Sequence, residues 1–340
     1  MFPILTGLWV YYIMCTDYPA AGAMAQQILA VARQLNDTNG TVLGRWVSCG
    51  TAYFQGQLRT ALEHAEAGWT AYDPHNYEEM ASLFGHNPGP GCADWGASAC
   101  WHLGYRDRAR KWGQQAIDAA TRVMHPPTIS TVLVHAAMYG RDWQDPQEAL
   151  KQAESAIALS EQTGIPLRKV EADIAKGWAL SVLGDPARGI PVLESGLKGW
   201  NLMGSRIADT CWYTMLGEAY RAAGRQQEAS DALARARQEL RNSGERVYEP
   251  QLCHEEGLLC LDASDTEGAE VCFQNGLRAA RDIEARSMEL RVAIDLARLW
   301  QSKGKGKEAR ELLAPIYSWF TEGFDTKDLM RAKVLLEELW

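Results

Sequence analysis

The sequence predicts an all-α fold: a right-handed α-solenoid of eight helical hairpins repeating every 40 residues, finished by one closing helix. Three series of residues predict it. From Ala229, steps of 40 reach Gly189, Ala149 and Ala109 upstream and Ala269 and Ala309 downstream; one step of 48 then leads to Ala61, and a further 40 to Ala21. Twelve residues before these anchors stand Trp9, Cys49, Ala97, Ala137, Gly177, Gly217, Gly257 and Ala297, small in all but the first. Five residues before them stand Thr16, Gly56, Gly104, Gln144, Gly184, Gly224, Ser264 and Gly304, where glycine predominates. Small residues let two antiparallel helices approach closely, and glycine turns the chain between them. One hairpin leaves an apolar face uncovered, so copies must stack.

The hairpins are expected in order. The first has helices near Pro3 to Met14 and Ala20 to Leu35, and the second runs from about Val42 to Tyr72. The period then breaks at residues 73–91, DPHNYEEMASLFGHNPGPG, which carry the eight extra residues. Pro88 and Pro90 interrupt a helix there, with one short turn expected from Met80 to Phe84. Hairpins three, four and five follow from about Asp94 to Val123, Thr128 to Thr163 and Leu167 to Met203. The sixth is Asp209 to Asn242, and its order of Tyr213, Leu216, Gly217, Tyr220, Gly224, Ala229, Leu233 and Ala236 resembles the tetratricopeptide (TPR) pattern. Hairpins seven and eight run from about Glu249 to Ile283 and Ser287 to Glu322. Residues 326–340 read as the closing helix, and the whole of 1–340 as a single TPR-like superhelical domain.

A chain of 340 residues with 46% apolar content buries a large core, elongated in a solenoid. A net charge of −9 argues against a nucleic-acid partner, which calls for a basic stripe. Eight Cys occur with no C-x-x-C spacing, and a reducing cytoplasm is the simplest setting. The apolar run Phe2 to Cys15 lacks the basic start of a secretory signal, and Ala21 after it falls on the repeat register. No run of about 18 apolar residues exists, so no membrane span is expected. Apolar residues arrive at once in the first hairpin with no polar cap, as in a piece of a longer protein.

Catalytic signatures are absent. There is no G-x-S-x-G, no H-E-x-x-H and no G-x-x-x-x-G-K-[ST], and His254, Glu255 and Glu256 lack a second His. The chain reads as no enzyme, with no catalytic residue and no cofactor. A metal site from His75, His86, Cys92, Cys100 and His102 is disfavoured, because residues two apart on a helix face different ways.

Binding residues follow from the register. In stacked hairpins the first helix lines the concave face, with positions three before and one and four after its small residue pointing inward. Those positions select Trp46, Tyr53, Asp94, Trp101, Arg141 and Trp178 in hairpins two to five. Three Trp and a Tyr beside isolated charges fit a mostly apolar pocket with few polar groups; the alternative is that these rings pack between repeats. The interruption supplies His75, His86 and Asn87 as a lid over them.

The segment Ser287 to Leu339 resembles the end of a bacterial family that joins an adenylate/guanylate cyclase or DNA-binding module, an AAA-type ATPase and a long TPR region. The stretches Tyr72-Asp73-Pro74 and Phe84-Gly85-His86-Asn87-Pro88-Gly89 are similar to that family's break, where Asp is usual in place of Asn87. The resemblance implies a regulatory arm like those of signal-transduction ATPases. Two functions remain open on the sequence. The groove holds a protein segment or a neighbouring ATPase or cyclase domain, or it holds a small-molecule effector that shifts such a domain between states.

Overall fold

All eight turn positions of the 40-residue register adopt left-handed backbone, with φ from 58° at Gln144 to 99° at Gly184. Five of them are glycine, the residue that enters this region without steric cost; Thr16, Gln144 and Ser264 accept some strain there. The computed structural model describes residues 1–339; Trp340, the end of the expected closing helix, lies outside them. Before the break come α1 (Phe2–Met14), α2 (Tyr18–Leu35), α3 (Thr38–Phe54) and α4 (Leu58–Ala71). A 3-10 turn (Pro74–Asn76) and α5 (Tyr77–Phe84) form the interruption. Beyond it lie α6 (Pro88–His102), α7 (Arg106–Val123), α8 (Pro126–Asp142), α9 (Pro146–Thr163), α10 (Pro166–Val182) and α11 (Pro186–Leu202). The chain finishes with α12 (Asp209–Ala222), α13 (Gln226–Ser243), α14 (Glu249–Asp262), α15 (Thr266–Asp282), α16 (Arg286–Ser302), α17 (Gly306–Ser318) and α18 (Lys327–Glu338). These are eight antiparallel pairs, an inserted helix and a closing helix. No strand occurs among the described residues, and the fold is an α-solenoid.

Local signals start the helices where they do. Asp17, Asp37, Asp145, Asp185 and Asp265 each accept a backbone N–H from the first turn of the helix they cap, and Pro146 and Pro186 occupy first positions that need no donor. The register anchors are fully buried where paired helices cross. At the α10–α11 crossing a Cβ on Gly177 would stand 2.7 Å from the Gly189 carbonyl oxygen, so neither position admits a side chain.

The interruption differs from the expectation. Pro88 and Pro90 do not delay the third hairpin to Asp94; α6 begins at Pro88, because the first turn of a helix has no partner for its N–H groups and tolerates proline. The short turn expected at Met80 to Phe84 is an eight-residue helix, α5, and Met80 is fully buried beside Val42 and Cys92. The insertion is therefore a helix anchored by Met80, with most of residues 73–86 exposed or half-buried.

The solenoid closes on itself. Arg206 N–H donates to the Met14 carbonyl (2.8 Å), Arg246 N–H to that of Phe54 (2.9 Å), the Ser287 hydroxyl to that of Trp101, and Lys327 Nζ to that of Gln144 (2.6 Å). Each of the first four hairpins thus meets the start of the repeat five further on. The seam is locked by buried charge. Asp328 on α18 accepts from Arg106 (3.1 Å) and Arg291 (3.0 Å), and both guanidiniums lie over the Trp101 ring, at 5.6 and 5.4 Å. Those two cations hold the Asp328 carboxyl down to about 2.

Candidate functional site

Inside the closed solenoid lies a cavity of about 220 Å³, walled by the inner faces of α1, α3, α6 and α8, the start of α10, Trp200 of α11, the start of α12, and the links before α12 and α14. Nine of its lining residues are Phe, Tyr or Trp. Trp9 stands where the register asks for a small residue, and its indole lines the cavity. Its Nε1 donates to Thr51 (2.9 Å), and its ring lies 5.3 Å from that of Trp46. Tyr53 packs 5.0 Å from Trp95, which lies 5.2 Å from His135, and Trp200 meets Trp212 at 5.9 Å on the opposite wall. Trp212 Nε1 is buried with no hydrogen-bond partner among the described residues.

Most charges on the wall are spoken for. Arg141 donates to Glu218, whose other oxygen accepts from Trp178 Nε1 (2.6 Å). Arg168 pairs with Glu171 (2.5 Å). His135 and the Tyr139 hydroxyl both bind Asp94. Asp142 is the exception: its carboxylate accepts no hydrogen bond among the described residues, and its nearest cation, Arg141, is 4.0 Å away. Burial raises the Asp142 carboxyl to about 6 against the pull of Arg141 and Arg291.

The interior of the C-terminal hairpins is unlike this. A more open cleft of about 430 Å³ runs past Trp178, Glu218, Arg221, His254, Asp295 and Arg331. Its charges are knitted together: Arg221 with Glu255 (3.4 Å), His254 with Asp295 (2.8 Å), and Arg331 with Asp295 (2.6 Å). Hydrogen bonding to Asp295 and Glu255 outweighs burial and raises the His254 imidazole to about 9.

The residues expected to bind are distributed as follows. Trp46, Tyr53 and Arg141 line the aromatic cavity. His86 does not reach it; its ring stacks 4.8 Å behind Trp46, and burial lowers its imidazole to about 3, leaving it neutral. Asn87 caps α6, accepting from Gly89 N–H (3.1 Å) and donating to the Tyr72 hydroxyl (3.2 Å). Asp94 is buried behind His135 and Tyr139, and Trp101 sits in the seam under its two arginines. Trp178 lines the charged cleft, and His75 is exposed on the 3-10 turn, outside both cavities. The positional rule passed over Trp9, Trp95, Tyr139, Asp142 and Tyr248, which complete the wall. Trp200, on the second helix of its hairpin, falls outside that rule as well. Trp9 had carried a signal, as the single large residue in a series of small ones.

No family model matches the chain, and no curated protein matches it. Solved structures do. A Rap protein complexed with competence and sporulation factor is similar over 99% of this chain and 96% of that chain, at 12% identity and a TM-score of 0.62. Aspartyl phosphate phosphatase F from Bacillus subtilis is similar over 93% of both chains, at 10% identity and 0.51. A signal-transduction ATPase with a tetratricopeptide repeat sensor from Pyrococcus horikoshii aligns at 15% identity and 0.49, over 99% of this chain and 49% of that chain. At such identities the likeness to the first two is one of fold: a TPR-like solenoid.

Proposed function

We propose that the chain is a non-catalytic sensor module that closes around a small, largely apolar effector. The observation that carries this reading is the ring-walled cavity of about 220 Å³ inside a solenoid whose turns are already in contact. An α-helix with side chains is about 10–12 Å across, too wide for a space of this volume, which weighs against a helical segment or a whole domain in it. Aromatic walls with few polar groups suit a small guest. The fold likeness supports a regulatory role, since the Rap protein of similar fold was solved complexed with competence and sporulation factor.

The seam supplies a way to read occupancy. Arg291 donates to the Asp142 carbonyl oxygen (2.6 Å) and to the Asp328 carboxylate, so one side chain touches both the cavity wall and the closing helix. An effector that fits the closed arrangement better than an opened one shifts the balance toward closure. In a regulator of the cyclase–ATPase type that the sequence resembles, α18 would pass that state to the attached domain.

Calorimetric titration with phenethyl alcohol, a neutral probe that fits the cavity, tests the reading. Binding is expected for the native chain and should be lost in Ser98→Phe, which fills the cavity from α6. No heat with the native chain, or equal binding by both proteins, would overturn it.

A further inference from the structure

One charge on the wall has no hydrogen-bond donor, and its one ion-pair partner stands at the 4.0 Å limit of such a contact. Arg141 is committed to Glu218, Arg168 to Glu171, and His135 to Asp94, whereas the Asp142 carboxylate has no hydrogen-bond donor among the described residues and no cation nearer than 4.0 Å. The Asp142 side chain is 17% exposed beside apolar walls, so its hydration is reduced, and an incoming cation restores part of what burial removed. Aromatic faces add to the attraction, because their quadrupoles favour positive charge even where the guest's body is apolar. Tyr53 and Tyr248 stand close enough for the Asp142 charge to be felt at their hydroxyls, and Trp95 packs on Tyr53 at 5.0 Å.

We propose that the effector is a small organic monocation, an aryl-alkyl amine or a compact quaternary ammonium, whose charge rests against Asp142 while Tyr53, Trp95 and Tyr248 enclose its body. This inference rests on the reading of the cavity as an effector site and adds the sign of the guest. An anion is disfavoured twice, by the carboxylate and by the ring faces. A neutral guest gains the walls and leaves the carboxylate bare. The amine head also lies next to the backbone that Arg291 holds, so the charge that selects the guest is adjacent to the seam that closes the solenoid.

Three probes of nearly equal size separate these cases: phenethylamine, phenethyl alcohol and 3-phenylpropionate, titrated calorimetrically into the full chain at pH 7.5. The amine is expected to bind at least about tenfold tighter than the alcohol, with the carboxylate weakest; tenfold is about 1.4 kcal/mol. Asp142→Asn should bring the amine to within about twofold of the alcohol. If the alcohol or the carboxylate binds as tightly as the amine, the cation is excluded and the effector cavity stands. If none of the three binds, both fall. The ratio among probes in the native chain decides the question even if Asp142→Asn does not fold.

Discussion

The two halves of the solenoid are built on one hairpin plan and fill their interiors in opposite ways. Hairpins one to four supply six of the nine rings around the cavity and the Asp142 carboxylate, which accepts no hydrogen bond among the described residues. The inner positions of hairpins six to eight carry mainly charges bonded to one another, while Trp200, Trp212 and Tyr248 of the second half reach across to the aromatic wall. A ring lends its face to a neighbour or a guest at similar cost, so aromatic walls can stand partly empty. A buried charge cannot wait unpaired without loss, so the charges of the C-terminal interior are drawn into ion pairs with one another, although Arg221 Nε, His254 Nδ1 and Glu255 Oε2 have no hydrogen-bond partner among the described residues. The first arrangement is suited to receiving a molecule and the second to fastening the fold.

Two aspartates put this difference to the test with the same substitution. Asp328→Asn leaves Arg106 and Arg291 buried over Trp101 with their carboxylate gone, and should cost about 3–5 kcal/mol at pH 7 in urea unfolding. The Asp328 pKa is depressed in the fold, so its contribution is present above the usual carboxylate range and fades as pH falls through about 2. An unchanged urea midpoint would remove the seam from the account of stability. Asp142→Asn should do the reverse, adding about 1–3 kcal/mol at pH 8. The Asp142 carboxyl is raised to about 6, so the folded state is penalised increasingly as pH climbs from about 4 to about 6, and the penalty stays beyond. A destabilised Asp142→Asn variant would mean that this carboxylate is held by the wall after all. The smallest effect concerns the insertion. His86 backs Trp46 without lining the cavity, so His86→Ala should weaken phenethyl alcohol by only about twofold to threefold, roughly 0.5 kcal/mol, in the same calorimetric assay. A complete loss would make the insertion part of the binding wall rather than its support.

The repeat was legible because its causes are local. Turn geometry demands positive φ at Gly56, Gly184 and Gly224, and helix crossing demands small residues at Ala229 and Gly217; both leave marks at fixed spacing. The site was only partly legible. A rule that counts positions along one helix finds Trp46 and Tyr53, but it cannot show that Trp101 is turned into a seam where Arg106 of its own hairpin meets Arg291 and Asp328 from distant repeats. Nor does it reveal that Tyr248, on a link between hairpins, reaches the cavity through the closure of the chain. Closure is a non-local event, and it decides which inner residues face a space and which face another turn. The insertion misled for a different reason: its Pro and Gly read as a loop, while Met80 and Asn87 gave it a buried anchor and a helix cap.

That closure also sets a timetable for synthesis. The Met14 carbonyl is satisfied by the amide of Arg206, and the Phe54 carbonyl by that of Arg246. A ribosome adds about 5–20 residues each second, so roughly 10–40 s pass between the appearance of each acceptor and that of its donor. Throughout that interval the nascent chain holds Trp9, Trp46, Tyr53 and Trp95 on an inner face with no opposing turn to cover them. The first four hairpins are where a chaperone would be needed during translation, and the need should end as α12 and the link to α14 leave the exit tunnel.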